Sequence, residues 1–229
     1  MGDIMKSNEL FLTNNSISID LIKKYDYPFE VLPHIKDYII ETGKRLDDSY
    51  ELMGENIWIA KDAFVDDSAS ISGPCIIDHE SEIRHNAFIR GNVIIGRKCV
   101  LGNSCEIKNS ILFDEVQVPH FNYVGDSILG YKSHLGAGVI LSNLRSDKNN
   151  VIIKSNPNID TKLRKVGAFL GDYTEIGCNS VLNPGTIIGT NTSVYPLTSV
   201  RGVIGSNMIV KQNEIVEKRV WNERNRNIS

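Results

Sequence analysis

The chain is expected to fold as an all-β solenoid, a parallel β-helix of six-residue repeats, on three observations. Every sixth residue from Ile59 to Ile107 is aliphatic: Ile59, Val65, Ile71, Ile77, Ile83, Ile89, Ile95, Leu101 and Ile107. An α-helix repeats near 3.6 residues and a half-exposed strand near 2, so a strict six fits a coil with three short flat sides per turn. The residue four places after each aliphatic is restricted, mostly to small types (Ala63, Ala69, Cys75, Ser81, Ala87, Val93, Cys99, Cys105), as crowded corners require. The pattern returns in Leu129, Leu135 and Leu141, and again in Leu170, Ile176, Leu182, Ile188, Val194 and Val200, with threonine or serine at the corners.

Residues 1–54 fall outside the rule. Between Pro28 and Leu46, the spacing of Val31, Leu32, Ile35, Tyr38 and Ile39 suits an amphipathic helix, with Pro33 in its first turns and Gly43 near its end. This segment is expected to form a helical cap over the first coil, because a bare solenoid end leaves unpaired backbone and apolar edges. Residues 55–212 form the expected coil. It is interrupted at 145–166 by a polar and basic stretch, expected to project as a hairpin arm turning at Asn156-Pro157-Asn158. Residues 213–229 are charged, with Val216, Val220 and Trp221 as anchors, and are expected to form a short C-terminal helix.

A chain of 229 residues with net charge −3 and a pI near 6.0 suits one solenoid domain and has no basic excess to argue for nucleic acid or an anionic membrane. No apolar run is long enough to span a bilayer, and no secretory leader pattern is present, so the expected location is cytoplasmic. Cys75, Cys99 and Cys105 fall at small-residue corners and Cys178 follows Gly177; with no C-x-x-C pair, all four are expected to be free thiols.

In such a coil, residues 18 apart stack on adjacent turns about 4.8 Å apart. Arg90 and Lys108 are so related, and each follows an inward aliphatic where most other turns carry a small or acidic residue. Two stacked cations repel, which points to a phosphate clamp unless Glu106 or Asp126 neutralises them or both side chains simply enter water. His120 lies 18 residues after Gly102, whose missing side chain would leave room above an imidazole. From Pro119 to Leu129 is ten residues, so the chain is expected to bulge beside His120. A histidine there can act as a general base near neutral pH. The other histidines lack the close spacing of a metal site, and no metal is expected.

The stretch Pro119-His120-Phe121-Asn122-Tyr123-Val124-Gly125-Asp126-Ser127-Ile128-Leu129-Gly130, followed by Leu135-Gly136-Ala137-Gly138 and Asn143, resembles the acetyltransferase domain of bifunctional N-acetylglucosamine-1-phosphate uridyltransferase / glucosamine-1-phosphate acetyltransferase. The likeness is unbroken from about Phe88 to Asn143 and looser to Val200. It implies the left-handed parallel β-helix of the hexapeptide acyltransferases. It also implies transfer of acetyl from acetyl-CoA to the amine of an amino-sugar 1-phosphate, in sugar-nucleotide and cell-envelope precursor synthesis, by a homotrimer with sites between subunits. His120 would be the general base. Arg90 and Lys108 would hold the phosphate, Tyr123 and Asn143 would orient the sugar, and Ala137, Cys178 and Pro196 would line the acetyl-CoA groove.

The chain departs from that pattern in three ways. No Leu-x-x-Gly-x-Gly-Thr-Arg stretch is present, so uridylyl transfer is not expected. His134 stands where the family usually carries asparagine. Asn149 stands where it carries lysine, with Lys148 adjacent; His134 and Lys148 are therefore candidate substrate-binding residues. The expected function is N-acetylation of glucosamine 1-phosphate or a related amino-sugar phosphate. Two alternatives stand beside it: acylation of another, nucleotide-linked amino sugar, and a non-catalytic sugar-phosphate-binding partner of a separate nucleotidyltransferase.

Overall fold

In the computed structural model, which describes residues 2–212 and 214–218, short strands wind into a left-handed parallel β-helix with three sheets as its sides. The first sheet has nine strands, running from Tyr50–Gly54 and Ile57–Ala60 through Cys75–Ile77, Val93–Ile95 and Ser110–Leu112 to Val203–Ile204. The second has nine, including Val100–Asn103, Gln117–His120 and His134–Leu135, and the third has seven, including Phe88–Ile89, Glu106–Lys108, Tyr123–Gly125 and Ile140–Leu141. The aliphatics of the six-residue rule point inward, and from Ile77 to Leu182 they are essentially free of solvent. Each such side chain contributes roughly 1.5–3 kcal/mol of burial. The corners turn through left-handed backbone, often on asparagine or aspartate (Asn86, Asn92, Asn109, Asp126, Asn179), residues whose short polar side chains tolerate positive φ.

The coil passes His120 without a bulge. The inward column continues through Leu112, Val118 and Val124, all fully buried, and Gln117, Val118 and His120 pair in constant register with Val100, Leu101 and Asn103. The residues missing from the six-residue count are lost elsewhere. The steps Ile107 to Leu112 and Val124 to Leu129 are five residues long, and each shortening falls at a corner between the third and first sheets, at Asn109 and at Asp126. Gly102 does not sit above the imidazole either. A Cβ there would lie 1.6 Å from the Pro119 carbonyl oxygen, so Gly102 makes room for the next turn's backbone while His120 pairs with Asn103.

The first sheet is buried on both faces. Its outward residues Ile76, Ile94, Ile111, Ile128, Phe169 and Ile187 are fully covered. The helical segment, with helices Pro28–Val31 and Ile35–Gly43, lies along this flank instead of over the end of the coil; Gly43 abuts the Trp58 ring and Phe11 stacks on Phe113 at 4.9 Å. Asp172, fully buried, pins the segment before these helices by accepting the Leu12 and Thr13 N–H at 2.9 and 3.0 Å, and accepts the Tyr131 N–H at 2.9 Å. Antiparallel pairing of Tyr50–Gly54 with Ile57–Ala60 covers the sheet edge at the first turn.

The insertion at 145–166 forms an antiparallel hairpin, Ile152–Ile153 with Ile159–Asp160, but it does not project. Val151 and Ile153 are fully buried against the coil at Gly185, and the Lys154 carbonyl packs on Gly202. Apolar Val151-Ile152-Ile153 gives the hairpin an inner side to bury, which a solvent-borne arm would leave exposed. In the tail, Ile215–Glu217 is a strand, antiparallel to Met208–Val210, where a helix was expected. Val220 and Trp221 lie outside the described residues.

Candidate functional site

Two clusters flank the third sheet, one on each of its edges. The first gathers at the two shortened corners. Strand alternation turns Ile89 and Ile107 inward, and so aims Arg90 and Lys108 outward on adjacent turns. Each cation has a carboxylate: Arg90 Nη1 lies 2.6 Å from Glu106 Oε1, and Lys108 Nζ lies 3.4 Å from Asp126 Oδ2. The expected repulsion of an unrelieved stack is therefore removed by the chain's own acids. The Glu106 hydrogen bond and charge raise the already high pKa of the Arg90 guanidinium.

Asp126 is the hub of this corner. Buried to 5% exposure, it accepts hydrogen bonds from Asn109 Nδ2 at 2.9 Å and Asn143 Nδ2 at 2.5 Å besides facing Lys108. The same Asn143 amide reaches Tyr123 Oη at 3.1 Å. The two side chains meet over Gly125, where a Cβ would lie 2.6 Å from both. Burial raises the Tyr123 phenol above its ordinary range, so it remains a neutral hydrogen-bonding group through the physiological range.

Arg90, Lys108, Asn109 and Asp126 border a groove of about 770 Å³ between the coil corner, the helical segment and the insertion. Of its fourteen lining residues six are cationic (Lys36, Arg90, Lys108, Lys148, Arg164, Lys165) and one, Asp126, is acidic, so the groove suits an anion. Arg90 and Lys108 reach this groove from the coil corner and Lys148 from the insertion, while Tyr123 and Asn143 stand behind the lining, joined to it through Asp126. Asn109 and the hub role of Asp126 were missed. Their signal was the two five-residue steps, which a fixed period of six passes over.

The second cluster runs along the opposite edge of the third sheet. His120, Ala137, Cys178 and Pro196 each stand two residues after an inward aliphatic (Val118, Leu135, Ile176, Val194) and so form one column. Hydrogen bonds join its turns: Gly138 N–H donates to the His120 carbonyl at 3.0 Å, Asn179 N–H to Ala137 at 2.8 Å, and Leu197 N–H to Cys178 at 2.9 Å. Glycines at 136 and 177 let the turns close up, since a Cβ at either would meet Cys178 or Pro196 backbone within 2.7 Å. The turn at His120 is held by buried Asn122, whose Oδ1 accepts the His120 N–H at 3.1 Å and whose Nδ2 donates to the Gly136 carbonyl at 2.8 Å. The imidazole itself is exposed and forms no hydrogen bond among the described residues.

His134 joins neither cluster. It lies on the second sheet, its Nδ1 2.8 Å from Glu175 Oε2, in a separate hollow with Glu115, Lys132 and Tyr173. Cys75, Cys99 and Cys105 are buried free thiols; desolvation pushes Cys75 up to about 12 and raises the other two. Cys178 is exposed. No helix among the described residues is long and apolar enough to cross a membrane.

A hexapeptide-repeat β-helix with a basic groove on one edge and a small-residue column led by histidine on the other defines the class. The chain is homologous to GlmU-type bifunctional proteins over part of its length. It is 34% identical over 97 residues to a bifunctional sugar-1-phosphate nucleotidylyltransferase/acetyltransferase of Sulfurisphaera tokodaii, covering 42% of this chain and 24% of that protein. It is 33% identical over 108 residues to bifunctional protein GlmU of Methanococcus maripaludis, covering 47% and 26%. The chain thus spans about a quarter of the length of these relatives. Residues 71–146 match the GMPPB C-terminal domain family. Among solved structures, a putative acetyltransferase of Bacillus cereus aligns over 72% of this chain and 80% of its own, with 18% identity and a TM-score of 0.39.

Proposed function

We propose that the protein is an acetyl-CoA-dependent N-acetyltransferase acting on an amino-sugar phosphate, with glucosamine 1-phosphate as the first acceptor to test. The observation that carries this reading is the single column of His120, Ala137, Cys178 and Pro196, which gives a proton acceptor and a close-packed edge for an extended thioester on one line. The names of the relatives, which include sugar-1-phosphate and acetyltransferase activities, support it.

In this mechanism the sugar amine attacks the thioester carbonyl while His120 takes its proton. Backbone N–H groups stabilise the tetrahedral oxyanion, and coenzyme A leaves as the thiol after receiving a proton. No covalent enzyme intermediate forms. Arg90 and Lys108 hold the phosphate and Tyr123 and Asn143 orient the ring. Because the His120 column and the basic groove lie on opposite edges of one sheet, the complete site is formed between neighbouring chains of a cytoplasmic homotrimer.

The test is thiol release from acetyl-CoA with glucosamine 1-phosphate, comparing the native protein with His120→Ala at matched melting temperature and sedimentation. Turnover that falls at least a hundredfold in the variant is expected. Equal turnover by the two proteins would remove His120 from the chemistry. A monomer by sedimentation would remove the shared site.

A further inference from the structure

The groove holds more than a sugar monophosphate needs. Its cations fall into two sets. Arg90 and Lys108, on the coil corner, are each matched by a carboxylate. Lys36 on the helix Ile35–Gly43, and Lys148, Arg164 and Lys165 on the insertion, face the same space from the two walls and have no carboxylate partner among the described residues. Arg164 is held toward Lys148 by a hydrogen bond from its Nε to the Lys148 carbonyl at 3.2 Å. Pro33 of the helical segment, Leu163 of the insertion and the adjoining Leu144, 40% exposed, line the same space as an aliphatic shelf.

An exposed leucine and proline among unpaired cations is a poor environment for a hydroxyl-rich sugar and a good one for a flat heterocycle joined to phosphates. The volume, about 770 Å³, lies in the range of sites for drug-sized ligands. We infer that the outer half of the groove is a subsite for a nucleoside diphosphate, so that the amino-sugar acceptor arrives linked to a nucleotide. The base rests on the shelf, the wall cations meet the diphosphate, and the sugar extends from Arg90 and Lys108 along the third sheet. As a statement about the acceptor, this rests on the acetyltransferase reading above. Coenzyme A, itself a nucleotide, is assigned to the other edge.

Calorimetry on the full chain tests the subsite without turnover, using UDP, GDP, inorganic pyrophosphate, glucosamine 1-phosphate and coenzyme A as probes. UDP or GDP is expected to bind at least tenfold tighter than pyrophosphate or glucosamine 1-phosphate. The doubly substituted Lys36→Ala/Arg164→Ala protein, with both changes at exposed positions and folding checked by its melt, is expected to lose at least tenfold in that preference. Nucleotides binding no tighter than pyrophosphate would overturn the inference, as would an unaltered preference in the variant or displacement of the nucleotide by coenzyme A. The thiol-release assay separates the two readings. Tight nucleotide binding with no acetyl transfer to any amino sugar would leave the subsite and remove the activity. Transfer to glucosamine 1-phosphate without nucleotide binding would do the reverse.

Discussion

Lys108 and Asp126 face each other across 3.4 Å at a corner where the coil has lost one residue, with the carboxylate almost wholly buried and the ammonium largely so. The acid that stabilises Lys108 also opposes any phosphate that approaches it. Removing the Asp126 carboxylate should therefore separate stability from binding. Asp126→Asn is expected to lower stability by about 2–4 kcal/mol, since Asn109, Asn143 and Lys108 lose a charged acceptor. It is also expected to bind inorganic phosphate several-fold more tightly. Urea unfolding and calorimetry on the same preparation read both, and a loss on both counts would make Asp126 a scaffold residue with no bearing on the anion.

Arg90 offers the opposite case. Its contact with Glu106 is solvent-exposed, and such pairs add little to folding. Arg90→Ala is expected to leave the melting temperature nearly unaltered while weakening binding of glucosamine 1-phosphate at least tenfold. A large fall in melting temperature with intact binding would show that the pair is structural.

Gly125 tests the Tyr123–Asn143 contact without touching either side chain. A methyl group at this position meets both partners at 2.6 Å and forces them apart. Gly125→Ala is expected to weaken acceptor binding by tenfold or more, with a smaller effect on the Km for acetyl-CoA. Equal losses for both substrates would point to a distorted coil, and far-ultraviolet circular dichroism would show it.

How far the sequence revealed this molecule depends on which column is followed. The inward column was legible because each of the three sides of every turn carries one inward aliphatic, and missing one such contact would open the core. The outward column of the first sheet was equally present, as apolar pairs such as Ile76-Ile77, Ile94-Ile95, Ile111-Leu112 and Phe169-Leu170, yet a search at period six counts only one member of each pair. Reading both members would have shown that one flank needs a cover, and that the helical segment is that cover. At the candidate site, Arg90 and Lys108 could be stacked by counting because they precede the shortened corners. Beyond Asn109 the spacing between turns becomes 17, as in Gln117 with Val100 and Tyr123 with Glu106, and counting by 18 then placed Gly102 on the wrong neighbour. The alignment of His120 with Ala137, Cys178 and Pro196 stayed hidden for the same reason, since 17-, 41- and 18-residue steps separate them.

Cys178 makes that alignment measurable. It is the exposed thiol of the four, while Cys75, Cys99 and Cys105 are buried and desolvation raises their pKa above the ordinary cysteine value. The thiolate is the reactive species, so a raised pKa and burial act in the same direction. In a native titration with a disulfide reagent at pH 7–9, one thiol is expected to react promptly, and all four only after denaturation. Raising the pH within that range should not recruit Cys75, whose thiol burial pushes up to about 12. If the thioester lies along the His120 column, saturating acetyl-CoA will slow Cys178 labelling at least tenfold, and glucosamine 1-phosphate alone will not. Labelling indifferent to acetyl-CoA would move the coenzyme off this edge and, with it, the role assigned to His120.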